Sequence, residues 1–400
     1  MKPGLADRRH FAQWLRPGTR SRRVIIAAAI YLFCTAVYFA CATRQTLTEH
    51  TPYNHYALLA DAWLHGRLDL GHPPPPYTQN NDFAQYQGRW YISFPPFPAV
   101  LLLPLVKLAG APENVRDGQF WLWFAGLGPA VLFLALEKLR RMGESTLDDL
   151  HNAVLAGVFA FGTVYFFTAE QGTVWFAALV VAVVASAIYL LAALNAERPW
   201  AAGAMIGVLL VSRPHMIACG LLFVCEVVRT TRTGKYALDW SRAWRKLLPF
   251  AVPIAFVVAL TIWHNWARFG SLEFGHEHLT VGWRARIDKW GLISYHYLAR
   301  NLGIVTSSLP YVTHRPLGLQ INTHGLALWV TTPVYLWLLW PRRAGYLWRV
   351  LLASIAPIVL FDLLYQNSGW LQFGYRFSND FAVFLFAMLA IGGYRMGRLF

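Results

Sequence analysis

The sequence predicts an all-α polytopic membrane protein, a bundle of about ten transmembrane helices. Three observations carry that prediction. Hydrophobic residues make up 56% of the chain and charged residues 14%, against roughly 45–50% and about 25% in a soluble domain. The apolar residues gather into runs long enough to cross a hydrocarbon core of about 30 Å, which takes about 20 helical residues. The basic residues, which give a net charge of +15, lie between those runs. They therefore read as topology signals rather than a phosphate-binding patch, and nucleic acid is not an expected partner.

The chain opens with MKPGLADRRHFAQWLRPGTRSRR, residues 1–23, with seven Lys/Arg ahead of the first apolar run, Val24 to Ala42. That bias places the N-terminus inside. ACA at Ala40–Ala42 has the small residues of a signal-peptidase site, but the run is long for a signal peptide and reads as an uncleaved anchor. Further spans are expected at about 119–137, 152–168, 172–194, 199–212, 215–228, 247–265, 324–340, 350–366 and 378–394. The segments between them then alternate sides. Those placed inside, with the N-terminus, hold 22 of the 35 Lys/Arg, as expected of short cytoplasmic loops. Two long outer segments result, 43–118 and 266–323, and residues 1–400 form a single integral membrane domain.

Two stretches need separate placement. Pro95–Ala109 is too short to cross and begins among prolines, so it reads as a re-entrant or interfacial helix. Trp200 to Val228, taken as one helix, would bury Arg213 and His215 at the bilayer centre, where an arginine costs roughly 2.5–3.5 kcal/mol. Two short helices meeting at SRPH bring both side chains to the outer face. Cys34, Cys41, Cys219 and Cys225 form no CxxC pair, which signals neither zinc nor a disulfide framework.

No Gly-rich phosphate loop, HExxH or GxSxG occurs, which weighs against ATP-driven, zinc-protease and serine-hydrolase chemistry. The polar residues without an obvious structural task gather on the outer side. HEH at His276–His278 would put both imidazoles on one face only in a strand, and no metal site is assigned there. A divalent cation (Mg or Mn) is left open as a cofactor.

Four stretches resemble the GT-C superfamily of lipid-linked-sugar-dependent membrane glycosyltransferases, particularly the bacterial dolichyl-phosphate-mannose-protein mannosyltransferase-like group. They are YNHYALLADAWLHGRLDL followed by NDFAQYQGRWYISFPPFPAVLLLP, then GAMIGVLLVSRPHMI, WHNWARFGSLEFGH and WLQFGYRFSNDFAVFLFAMLAI, spread over residues 53–390. The resemblance implies a GT-C-like bundle whose first outer loop folds into interfacial helices and supplies a catalytic acid. It also implies inverting transfer of a sugar from a polyprenyl-phosphate donor to a lipid, glycan or protein acceptor. The reaction would take place at the outer face of a bacterial cytoplasmic (inner) membrane.

On that resemblance Asp82 is the first candidate for the general base and Asp61 the second. The residue-level alternatives are that Asp82 caps a short helix over FAQYQ, and that Asp61 is a solvated position on an amphipathic surface helix. Many members carry an acid directly after the first span; here His55 of YNHY stands in that place. Arg213 and Arg376 are the candidates for the donor phosphate, since a guanidinium offers a fixed fork of donors to phosphate oxygens. His55, Glu170, His215 and Tyr375 are candidates for substrate binding. A transporter or flippase, or a non-catalytic accessory protein of the same fold, are the alternative functions.

Overall fold

The computed structural model describes residues 16–235, 237–272, 274–281, 283–314 and 317–394. The tail YRMGRLF beyond Gly393, most of the basic N-terminus and Glu273 of the WHNWARFGSLEFGH stretch fall largely or wholly outside those residues. The described residues are mostly helical, with six helices among them long and apolar enough to cross a membrane, or seven if one bent pair counts as a span. In order, α1 is Arg20–Cys41, α2 Arg44–Thr48 and α3 His55–Leu64. A hairpin of β1 (Phe83–Tyr86) and β2 (Arg89–Ile92) precedes α4 (Phe97–Ala109). Then come α5 (Asp117–Ala125) and α6 (Leu127–Arg141), which share one span, and the pair α7 (Asp149–Phe161) and α8 (Tyr165–Gln171), bent by 58°. Next are α9 (Val174–Ala193), α10 (Pro199–Leu210), α11 (Gly220–Thr231) and α12 (Trp240–Phe269). The last part holds α13 (Arg284–Trp290), α14 (Leu298–Ser307), the hairpin β3 (Tyr311–His314) and β4 (Leu317–Gln320), α15 (Leu328–Thr331), α16 (Tyr346–Leu364) and α17 (Asn379–Ile391).

Among the described residues, length and composition thus support six or seven of the about ten expected spans. Three of the expected spans are short: α10 has 12 residues, α17 has 13, and 324–340 divides into α15 and a 3₁₀ segment, Pro333–Leu339. At about 1.5 Å per residue, 12 or 13 residues cover about 20 Å, less than the hydrocarbon core. The division at SRPH is as expected: α10 stops at Leu210, and a 3₁₀ turn from Pro214 to Cys219 leads into α11. Pro214 pushes the preceding Arg213 into extended backbone (φ −145°, ψ 85°), which ends the helix there.

Apolarity on every side marks the centre of the bundle. α9, VWFAALVVAVVASAIYLLAA, is buried along nearly its whole length, and α17 along all of it. α12 lies at the periphery. Its Trp240, Trp244, Leu248, Val252, Phe256 and Leu260, spaced at i+4, form an exposed apolar stripe suited to lipid. α10 meets α12 through two glycines. A Cβ on Gly203 would lie 2.1 Å from the Phe250 carbonyl oxygen, and one on Gly207 would lie 2.8 Å from Val257 Cγ2. Small residues four apart let two backbones approach closely without a side chain between them.

The helix ends form two sets. At one end Thr51 Oγ1 donates to Asp117 Oδ2 at 2.7 Å, and Asn301 Nδ2 donates to the Tyr365 carbonyl at 2.8 Å. At the other, Arg22 Nε donates to Asp149 Oδ2 at 2.5 Å and Ser145 Oγ to the Ala390 carbonyl at 2.8 Å. The first set joins segments assigned outside from the charge pattern, and the second joins segments assigned inside.

Two local expectations are corrected. FAQYQ is a strand, not a helix: Gln87 and Gly88 both take positive φ (49° and 75°), the pattern of a two-residue hairpin turn, and pair β1 with β2. Asp82 therefore caps no helix. The helix over YALLADAWL, α3, is not a surface helix. Tyr56 to Ala60 and Ala62 are buried, because the apolar α4 covers them. As expected, α4 starts directly after Pro96 and is too short to span, with 13 residues.

Candidate functional site

Two cavities open at the end of the bundle where the long segments 43–118 and 266–323 gather, and they share a wall. The first, about 270 Å³, is lined by Arg213, His215, Phe274, Leu279, Leu292, Ile293 and Phe361 among others. The second, about 480 Å³, is lined by residues including Thr173, His324, Ser368 and Trp370. Asp82, Trp175, Trp283, Gln366, Asn367 and Arg376 line both.

Asp82 is held in that wall by backbone and side chain together. Its φ is +64°, the left-handed region that costs most side chains but is tolerated by Asp. The carbonyl accepts from Ser93 Oγ at 3.1 Å, across the hairpin. Trp175 Nε1, in the first turn of α9, donates to Asp82 Oδ2 at 2.7 Å. Burial pushes the carboxyl up to about 6, against the Trp175 hydrogen bond and the positive charge of Arg376, which act to lower it. It is thus poised near neutral pH, as a general base requires. A backbone conformation of this kind persists only where the surroundings over-determine it.

Arg376 faces Asp82 within the same wall. Gly374, two residues earlier, passes so close to α15 and the turn before α8 that a Cβ there would lie 2.4 Å from Val164 Cγ1. This threads the chain into a 3₁₀ turn, Arg376–Ser378, that buries the guanidinium. Nη1 donates weakly to the Trp370 carbonyl at 3.4 Å, and the cation lies over Phe176 (5.0 Å) and Phe377 (5.5 Å). Nε has no hydrogen-bond partner, and among the described residues no carboxylate comes within ion-pair distance. Burial, and then the charge of Arg213, lowers its pKa to about 10, so it remains a cation at neutral pH. A buried cation without a counter-ion suits an incoming anion.

Arg213 also faces the first cavity, but it is already paired. Its Nε donates to both oxygens of Asp380 at 3.0 Å, Nη2 donates to Asp380 Oδ2, and Nη2 lies 3.8 Å from Asp362 Oδ1. His215, stacked flat on Phe361 with centroids 4.4 Å apart, places Nε2 3.0 Å from Asp380 Oδ2 and 3.3 Å from Asp362 Oδ1. These three donor atoms, from His215, Asp362 and Asp380, all lie within 4.8 Å of one another, a grouping able to hold a metal ion. Ligands bonded to a divalent ion at about 2.0–2.2 Å stand roughly 3 Å apart, close to the two His215 distances. HEH is instead a 3₁₀ turn, and of it only His276 lines the first cavity.

The remaining sequence candidates lie elsewhere. His55 is buried behind the Asp82 loop, with Nε2 2.8 Å from the Asn81 carbonyl and its ring 4.3 Å from Phe83. Burial lowers its pKa to about 4, so it is a neutral brace at pH 7. Tyr375 is buried and donates to the Asp362 carbonyl at 3.2 Å, which orients the Arg376 turn without reaching either cavity. Asp61 sits on α3 beside His65 (3.5 Å) and lines neither cavity. Glu170 lines a separate polar pocket with Thr46 and Thr51. Sequence reasoning passed over Trp175, Asp362 and Asp380. The two acids carried a readable signal, since a carboxylate inside an apolar run marks a functional position by default.

The chain thus has the class of a polytopic membrane protein with a buried acid and an unpaired cation between two cavities. No protein-family model, curated protein or solved structure matches it.

Proposed function

We propose that this protein is an inverting membrane glycosyltransferase that uses a polyprenyl-phosphate sugar, with its site at the outer face of a bacterial cytoplasmic membrane. The observation that carries the reading is the placement of Asp82 and Arg376 in the wall between the two cavities. The first cavity, with Leu279, Leu292, Ile293 and Phe361, offers an apolar lining for a polyprenyl chain. Arg376 then receives the phosphate. An acceptor hydroxyl oxygen, entering from the second cavity, attacks the anomeric carbon from the side opposite the phosphate. The new C–O bond forms as the old one breaks, its electron pair passes to the phosphate oxygen, and the hydroxyl proton passes to Asp82. The products are the glycoside and the polyprenyl phosphate, its charge neutralised by Arg376.

The test is an assay in nanodiscs with undecaprenyl-phosphate sugars, scoring free undecaprenyl phosphate by mass spectrometry. Asp82→Asn keeps the shape, the left-handed backbone and the Trp175 hydrogen bond, and is expected to lower turnover about 10²–10⁴-fold. The base must be ionised, so wild-type rate is expected to climb with pH up to about 6 and level off above it. Turnover unchanged in Asp82→Asn removes the base; no turnover with any donor, alongside substrate uptake into vesicles, moves the protein to the transporters.

The same assay addresses a cofactor. The His215, Asp362 and Asp380 trio supports a divalent cation beside the first cavity, which His215 lines, with its imidazole favouring Mn over Mg. Loss of turnover on chelation and recovery with Mn is the expected result of that reading; indifference to chelation removes it.

A further inference from the structure

From the lining of the second cavity we infer that it is a saccharide site, so that the acceptor is a glycan rather than a protein or a lipid. This rests on the glycosyl-transfer reading and deepens it. The two cavities differ in the residues that form them. The first mixes aliphatic side chains and prolines (Pro95, Ala178, Leu279, Leu292 and Ile293) with aromatic rings such as Phe94, Phe274 and Phe361. The second has a single aliphatic side chain, Leu371; its apolar surface comes from aromatic rings, Tyr53, Phe176, Trp370 and the two indoles it shares with the first, Trp175 and Trp283.

Between the rings stand the charged Asp82, Arg286 and Arg376 and a set of neutral groups that both donate and accept hydrogen bonds, among them Gln171, Thr173, Asn367 and Ser368. A pyranose ring has this same division. Its C–H bonds make a flat apolar face that packs on an aromatic plate, and its rim of hydroxyls needs partners that donate and accept in turn. Aliphatic side chains of the kind that suit a lipid tail are Ala178, Leu279, Leu292 and Ile293 in the first cavity and Leu371 alone in the second.

Besides Arg376 Nε, two polar atoms on the cavity wall have no protein partner among the described residues. Gln366 is 3% exposed, and its Oε1 accepts no hydrogen bond. Thr173 Oγ1 is likewise buried and unpartnered. A buried polar atom left without a partner costs about 1–3 kcal/mol, which a ligand hydroxyl offsets. The rim is fixed as well. His324 sets its ring edge-on to Trp370 at 5.0 Å, and its Nδ1 lies 2.9 Å from both Ser368 Oγ and the Gly369 carbonyl. The volume, about 480 Å³, falls within the roughly 300–1,000 Å³ of small-molecule sites. A hydroxyl of a sugar seated there reaches Asp82 through the shared wall.

The experiment probes a broad glycan array with the nanodisc-embedded wild-type protein, then follows the strongest saccharide by saturation-transfer NMR. Undecaprenyl-phosphate binding is measured in parallel. Trp370 is 56% exposed, so Trp370→Ala leaves the fold intact, and His324→Ala, at a residue that lines the second cavity and not the first, is the second variant. The expected result is saccharide binding weakened about tenfold or more in either variant, with undecaprenyl-phosphate binding retained. Undecaprenyl phosphate bound with no saccharide captured overturns the glycan assignment and leaves glycosyl transfer standing. Saccharide binding unchanged in both variants overturns the cavity assignment. Neither ligand bound overturns both.

Discussion

Two arginines face the first cavity, and their partners separate their tasks. Arg213 is bound in a fork to Asp380, so replacing it leaves a buried carboxylate uncompensated, a loss of about 3–5 kcal/mol. Arg376 has no such partner, so its removal relieves a buried charge rather than stranding one. Arg213→Met is expected to lower the midpoint of thermal unfolding in detergent sharply. Arg376→Met is expected to leave it nearly unchanged and to abolish undecaprenyl-phosphate binding. The opposite pattern would return the phosphate to Arg213. Both arginines were legible in the sequence from their Arg-Pro and Gly-x-Arg settings; which one is spoken for was not. That depends on Asp380, 167 positions further along the chain. Asp82 was legible as a loop acid, whereas the indole that holds it comes from the first turn of an apolar helix with no local signal.

At the scale of elements, the apolar runs long enough to cross were readable because length and hydropathy are local properties. The stretches that fall short of a full span read as spans for a physical reason. α17 is apolar because protein surrounds it on every side, and burial among other helices selects the same residues as burial in lipid. The β1–β2 hairpin was missed because Gln-Gly is a weaker turn signal than Asn-Gly or Asp-Gly. The Gly203 and Gly207 contact is the element most open to test. Gly203→Val drives a side chain into the Phe250 carbonyl, so α10 and α12 must part. The expected outcome is a lower unfolding midpoint with weakened undecaprenyl-phosphate binding, since α10 carries the chain into Arg213 and the first cavity. Gly157, where a Cβ meets nothing within 4 Å, is the control and is expected to tolerate Ala.

Across the whole molecule, the helix ends sort into two sets that follow the charge alternation, and the cavities open at one of them. The sidedness proposed from the basic loops is tested by labelling. In a background with the four cysteines replaced, Gln320→Cys is expected to react with an impermeant maleimide in intact cells, and Ser241→Cys only after permeabilisation. The reverse would turn the protein over in the membrane. The wall shared by the two cavities has a further consequence, for inhibition. Because six residues line both chambers, ligands seated in the two lie side by side with little protein between them. A single compound joining a lipid-like tail to a polar head through a short phosphonate bridge could occupy both at once. Its second half would then bind at a high effective concentration, which for a short linker is of order millimolar, so such a hybrid would hold far longer than either fragment alone.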